Sequence, residues 1–377
     1  MKKSFLLGLC VFWILGGILL SQDQERFFDK ELNPEEIRLT IFSPTVSRIE
    51  PLVELRKKGL IPSENLVVIG VYHTKESIDY QKAKEFVEQN KLEWLKFHEI
   101  SAPLSKDNLF QLNSCTMEFE AIFKKSDGII FLGGGDIPPS LYQKKTSLLT
   151  DIVTPYRHFL ELSFIYHLLG GYQDRDFQGF LELDPEFPIL GICLGFQSLN
   201  VGTGGTLVQD IWKEVYGKKF LEDATRLPKE KWHNNPYQDL YPKQGLRARN
   251  IHPIKLKKKA KIWAVLGFTL EDQPYILSSH HQALGKLGKG FEIAATSLDG
   301  KVVEALEHES FPNVLGIQFH PEATDIWGPE VIFKLTPRDK EEKSYRVFLQ
   351  EHPPSLDFHQ KIWSWFSQKI LEFHKKK

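Results

Sequence analysis

Cys193 lies between two glycines in Gly191-Ile192-Cys193-Leu194-Gly195. The apolar run at 188–192 reads as a buried strand. The residues after it, with Leu194, Leu199 and Val201 among small and polar side chains, read as an amphipathic helix. A thiol on the turn between them matches the nucleophile elbow, with sulfur in place of oxygen. Such a turn tolerates little side chain on its flanks, which suits Gly191 and Gly195. The sulfur then stands at a helix N-terminus, where the dipole and the free N–H groups favour thiolate. A buried structural cysteine needs neither the two glycines nor the strand-to-helix switch.

A nucleophile of this kind needs a base. The run Gln318-Phe319-His320-Pro321-Glu322 ends a second apolar stretch, 314–319. On an extended segment, residues two apart point the same way. Pro321 fixes its own φ and biases His320 toward extended backbone. Glu322 is therefore placed to hold the His320 imidazole in one tautomer while His320 takes the proton of Cys193. A third segment, Gly133-Gly134-Gly135-Asp136-Ile137-Pro138, follows the apolar run 129–132. No Gly-Lys-Ser/Thr comes after it, so it is not a phosphate loop. It reads either as a plain tight turn or as backbone that approaches a reacting carbonyl. In the second case its N–H groups and that of Leu194 form an oxyanion hole.

Together with Gly204-Gly205-Thr206-Leu207, these motifs resemble class I glutamine amidotransferase-type domains. Ser279-His280-His281-Gln282 and the triple-glycine segment resemble the γ-glutamyl hydrolase branch, particularly the bacterial γ-glutamyl-γ-aminobutyrate hydrolase type. The match runs from about residue 39 to 322, in the family's order. The resemblance implies Cys193, His320 and Glu322 as catalytic residues. It implies Gly133, Gly135, Leu194, Gln197, His280 and His281 around the oxyanion and substrate. Read alone, His280 and His281 fit hydrogen-bonded scaffold equally well. The resemblance further implies a small γ-glutamyl substrate and no cofactor. One departure is Leu194, where the γ-aminobutyrate-type enzymes commonly carry Arg; Leu is usual in glutaminase and folate-type relatives. Two other readings stay open: a glutaminase subunit of an amidotransferase, and a non-catalytic exported binding protein on the same fold.

The 377 residues are 41% hydrophobic and 26% charged, with a net charge of −1. That suits one large globular domain and gives no push toward nucleic acid or acidic membranes. The three cysteines, Cys10, Cys115 and Cys193, make a disulfide framework implausible, and no His/Cys group has metal-ligand spacing along the chain. Residues 1–21 combine a basic start with an apolar stretch at 5–20, a pattern of an export signal or membrane anchor. That pattern places the enzyme outside the cytoplasmic membrane. Residues 22–38 read as a linker. From 39 to 326 strand-like and helix-like segments alternate, which predicts an α/β fold: a mostly parallel sheet flanked by helices on both faces, in flavodoxin-like layering. In such sheets, sites form beyond the carboxyl ends of the strands. Residues 140–187 read as an insertion near the mouth of the site. Residues 327–377 read as an extension with an amphipathic helix, expected to dock on the domain rather than on a membrane.

Overall fold

The computed structural model describes residues 26–340 and 343–377. The targeting segment expected over 1–21 lies outside the described residues. Among the described residues no helix is long and apolar enough to cross a membrane.

Ten strands form one sheet. In chain order they are β1 (Ile37–Phe42), β2 (Leu66–His73), β3 (Leu95–Ile100), β4 (Gly128–Phe131), β5 (Ile189–Ile192), β6 (Asn250–Leu256), β7 (Tyr275–Ser278), β8 (Phe291–Ser297), β9 (Val303–His308) and β10 (Val314–Ile317). Their spatial order is β3-β2-β1-β4-β5-β10-β9-β8-β6-β7. Every pairing from β3 across to β10 is parallel. Beyond β10 the pairings are antiparallel. The β8–β9 pairing has a local cause. The short loop at Asp299 and Gly300 (φ 74°) reverses the chain directly, and Gly300 N–H donates to Ser297 O at 2.8 Å. No crossover helix intervenes there, so β8 and β9 can only run antiparallel.

Both faces of the sheet are covered because its strands are apolar on both sides. On β2, Val68 points into one cluster, and Val67 and Ile69 into the other. The first face is covered by α1 (Val46–Lys57), through Ile49, Leu52 and Leu55, and by the later helix Ser355–Lys376. The second is covered by α2 (Thr116–Lys125), α3 (Pro155–Leu169) and α4 (Leu194–Gly202), through Phe119, Leu160, Phe164 and Phe196. Each fully buried side chain of this size contributes ~1.5–3 kcal/mol relative to exposure.

Two segments that the sequence sets apart are integral to this core. Within residues 140–187, α3 is the crossover that carries the chain from β4 to its parallel neighbour β5, and it is buried almost throughout. Pro155 occupies its first turn and Gly170 (φ 65°) ends it. Within residues 327–377, the helix Ser355–Lys376 buries Phe358, Ile362, Trp363, Phe366, Ile370 and Phe373. Residues 26–36, assigned to the linker, also pack: Phe28 is buried and its N–H donates to Nδ1 of His98 at 3.2 Å.

Candidate active site

β5 and β10 are parallel neighbours, with Ile192 in register with Ile317. Cys193 and His320 follow those two strand ends, so the sheet itself brings them together. The elbow is strained: Cys193 has φ 54° and ψ −105°. A side chain in that region costs ~1–3 kcal/mol and persists only where the surroundings over-determine it. Here they do. Cys193 N–H donates to Ile317 O at 2.8 Å. A Cβ on Gly195 would fall 2.0 Å from the Phe131 carbonyl oxygen, and one on Gly191 would fall 2.6 Å from Cδ1 of Leu199. Strand, helix and elbow are locked by these approaches.

His320 Nδ1 lies 2.7 Å from Oε1 of Glu322. His320 N–H donates to Leu277 O at 3.0 Å. The carbonyl of Pro321, between the two side chains, accepts from Nε1 of Trp327 at 2.6 Å and Nε1 of Trp363 at 3.0 Å. Burial opposes charge on His320, yet the Glu322 carboxylate and the Cys193 sulfur outweigh it and raise the imidazole to about 10. Burial likewise opposes charge on Glu322, and the imidazolium prevails, holding that carboxyl below its usual range. The side chains can therefore act as an imidazolium–carboxylate pair facing a sulfur.

The triple glycine faces three ways. A Cβ on Gly133 would lie 3.2 Å from Cε1 of His320 and 4.0 Å from Sγ of Cys193. One on Gly134 would overlap the Arg157 guanidinium, at 1.7 Å from Nη1. One on Gly135 would meet Cγ2 of Val153 at 3.2 Å. Gly133 thus borders the sulfur, whereas Gly135 turns toward residues 151–153. Two arginines fix the backbone here. Arg48 Nε donates to Gly133 O at 3.0 Å, and Arg157 Nη2 donates to Leu132 O at 2.8 Å. Arg157 is itself fully buried and paired with Glu161 at 2.7 Å. Burial, with Arg157 close by, pulls Arg48 down to about 9.

Leu194 opens α4, where a backbone N–H has no acceptor within the helix. Gln197 is buried and donates through Nε2 to Oε1 of Gln318 at 3.0 Å, tying α4 to the segment that carries His320. His280 and His281 diverge. His281 Nε2 lies 3.0 and 3.1 Å from the two carboxylate oxygens of Asp136, and its Nδ1 lies 3.6 Å from Asp210. Despite burial, these carboxylates raise His281 to about 9. It clamps the residue that follows the triple glycine. His280 is buried, with Nδ1 2.8 Å from Gln282 O and Nε2 3.8 Å from Oε2 of Glu304.

A cavity of about 320 Å³ opens over the sulfur, walled by Gly133, Cys193, His320, Glu322, Arg48 and Arg249. Ser279 also borders it. Reasoning from sequence missed both arginines and Gly134. Ser279 belongs to the Ser-His-His-Gln motif, which was the signal for it; neither arginine belongs to any motif. A larger cavity of about 530 Å³, near Tyr275, Phe333 and Lys340, has no Cys or His among the described residues of its wall. Size alone does not pick out the chemistry.

Comparison with known proteins gives the family. The chain is 32% identical over 214 residues to a glutamine amidotransferase-like protein of Rickettsia prowazekii, covering 52% of this chain and 70% of that one. It is 32% identical over 199 residues to a similarly described protein of Lactococcus lactis, covering 52% and 66%. It is 26% identical over 195 residues to a CTP synthase of Prochlorococcus marinus, covering 46% of this chain but only 33% of that enzyme. The relatives support a class I glutamine amidotransferase-like cysteine hydrolase or amidotransferase. The family model for peptidase C26 matches residues 68–322, from β2 through Glu322. With more than half of its length inside that match, the chain belongs to the peptidase C26 family.

Proposed function

We propose that the chain hydrolyses γ-glutamyl amide bonds through a thioester on Cys193. The observation that carries this reading is a single cavity holding sulfur, imidazole, carboxylate and the Arg249 guanidinium together. The sulfur attacks the γ-carbonyl carbon. The carbonyl electron pair moves to oxygen, which the N–H groups of Leu194 and the triple-glycine backbone stabilise. His320, as the imidazolium, gives its Nε2 proton to the departing nitrogen as the C–N bond breaks, and Glu322 holds the ring in place through Nδ1. Water, deprotonated by His320, then attacks the thioester. The C–S bond breaks, and glutamate leaves with the sulfur restored.

Arg249 gives the substrate class a physical basis. Its Nη1 pairs with Asp325, and a guanidinium has further donors in a planar fork that suits a carboxylate. The α-carboxylate of a γ-glutamyl group is such an anion. A second reading, the glutaminase activity of an amidotransferase, is favoured by the glutamine amidotransferase-like relatives.

The test is product analysis by mass spectrometry. The chain is offered glutamine, γ-glutamyl-γ-aminobutyrate, γ-glutamyl dipeptides and a folate polyglutamate, beside Cys193→Ala. Cys193-dependent glutamate release from the γ-glutamyl compounds supports the hydrolase. Turnover of glutamine alone transfers the assignment to the second reading. Arg249→Ala is expected to raise KM ~10–100-fold with a smaller change in kcat.

A further inference from the structure

Behind the active site lies a second cluster that the proposed chemistry does not use. His233 comes from the charged excursion after α4, His252 from β6, His280 from the loop after β7, and Glu304 from β9. All four are fully or almost fully buried. Their side chains converge on the Glu304 carboxylate. His233 Nδ1 is 3.1 Å from Oε1, His252 Nε2 is 3.9 Å from Oε1, and His280 Nε2 is 3.8 Å from Oε2. The ligand atoms of His233, His252 and Glu304 all lie within 4.8 Å of one another.

The hydrogen bonding of this cluster is unfinished on its inner side only. Among the described residues, His233 Nδ1, His280 Nε2 and both Glu304 oxygens are buried with no contact of hydrogen-bond geometry, the 3.1 Å approach of His233 Nδ1 to Oε1 included. A buried polar atom left in that state costs ~1–3 kcal/mol, and more if charged. The outer ring nitrogens are supported. His280 Nδ1 lies 2.8 Å from Gln282 O, His252 Nδ1 lies 3.2 Å from Pro253 O, and His233 Nε2 lies 3.5 Å from the Tyr216 hydroxyl. This is the pattern of metal-binding histidines, whose far nitrogen donates to an oxygen and leaves the near one free for the ion. His252 Nε2 also contacts Ser278 Oγ at 2.7 Å, and that hydroxyl can rotate away.

We propose that His233, His252, His280 and Glu304 form a structural site for a divalent late first-row metal ion, with zinc as the best fit. Three imidazoles and one carboxylate suit zinc, and a closed set of four protein ligands suits a structural rather than a catalytic role. Tetrahedral bonds of ~2.0–2.1 Å place donors ~3.3 Å apart. The 3.1 Å contact of His233 is already near that spacing, while the wider separations, up to 4.8 Å among His233, His252 and Glu304 and 3.8 Å from His280 to Oε2, must close around the ion. The ion joins four separate segments. Glu304 O accepts from Gln318 N–H at 2.9 Å, two residues before His320, and His280 follows Ser279 at the cavity wall. The site therefore braces the strand ends that carry the active-site wall and pins the excursion at His233 to the sheet.

The test uses the full, untagged chain carrying Cys193→Ala, which removes the sulfur as a competing ligand. The protein is stripped with a chelator, then titrated with Co²⁺ and afterwards with Zn²⁺. About one equivalent of Co²⁺ should bind with the visible absorption of a four-coordinate N/O site, and Zn²⁺ should displace it. Zinc should also raise the Tm. Glu304→Gln and His280→Asn should each weaken binding at least ~10–100-fold and abolish the zinc-dependent rise. If both variants misfold, the parent titration still decides. Failure of the folded, stripped parent to take up either ion stoichiometrically overturns the proposal. So does uptake that the substitutions leave unchanged in folded variants.

Discussion

Oε1 of Glu322 lies 2.7 Å from Nδ1 of His320, while Oε2 of the same carboxylate is buried without a hydrogen-bond partner among the described residues. The carboxylate's short side-chain contact is the one to Nδ1, which leaves Nε2 of His320 to face the sulfur. Glu322→Gln keeps the volume but loses the charge and can present an N–H to the ring. We expect kcat to fall ~10²–10⁴-fold with KM little changed and the circular dichroism intact. Unchanged turnover in steady-state kinetics would remove Glu322 from the reaction.

Strain at the elbow makes a stability prediction that runs opposite to activity. Cys193 holds φ 54°, a region that glycine enters freely. Both Cys193→Gly and Cys193→Ala remove the sulfur. Only the first relieves the backbone, so it should exceed the alanine variant in stability by ~1–2 kcal/mol in urea unfolding. Equal stabilities would mean that the elbow stores no strain.

The buried ion pair of Arg157 and Glu161 supports the triple glycine from behind. Arg157→Met leaves Glu161 buried without its countercharge and should cost ~3–5 kcal/mol, with slower turnover. Adding Glu161→Leu should recover most of the stability but not the rate, because Leu132 O still lacks its donor. A denaturant double-mutant cycle combined with kinetics separates the two effects.

His281 links pH to the same loop. Its pKa in the fold is raised to about 9 by Asp136 and Asp210, against 6.5 for the free side chain. The folded state therefore binds more protons between these values. The stabilisation is complete below about 6.5 and is lost as pH rises through about 9. In His281→Gln, the urea midpoint should lose this alkaline decline and lie lower near neutrality, by ~1–2 kcal/mol. A wild-type midpoint that is flat across that window would contradict the clamp.

How far the fold could be read from the chain depended on the range of the interaction. The apolar runs at 66–71, 129–132 and 189–192 announce strands because burial on both faces removes polar residues from them. Asp299 and Gly300 announce a hairpin through local turn chemistry. The same logic exposed Cys193 and the His320–Glu322 pair, since each is set by neighbours a few residues away. The crossover role of α3 could not be read that way, because it depends on β4 and β5 being adjacent in space. Nor could Arg48 and Arg157, whose partners are backbone carbonyls at 132 and 133. His280 and His281 show the limit most clearly. They are consecutive residues of one motif, yet one turns to Glu304 and the other to Asp136.

The two tryptophans on the Pro321 carbonyl set an order of events in time. During synthesis, Cys193, His320 and Glu322 emerge well before Trp363, whose indole completes the grip on the peptide between imidazole and carboxylate. Until the helix Ser355–Lys376 has emerged and docked, the His-Pro-Glu segment lacks that clamp, and the first face of the sheet lacks Ile362, Trp363 and Phe366. A nascent chain thus carries Cys193, His320 and Glu322 before it carries the helix that helps hold them rigid, so the candidate site matures only after the helix Ser355–Lys376 has folded into place.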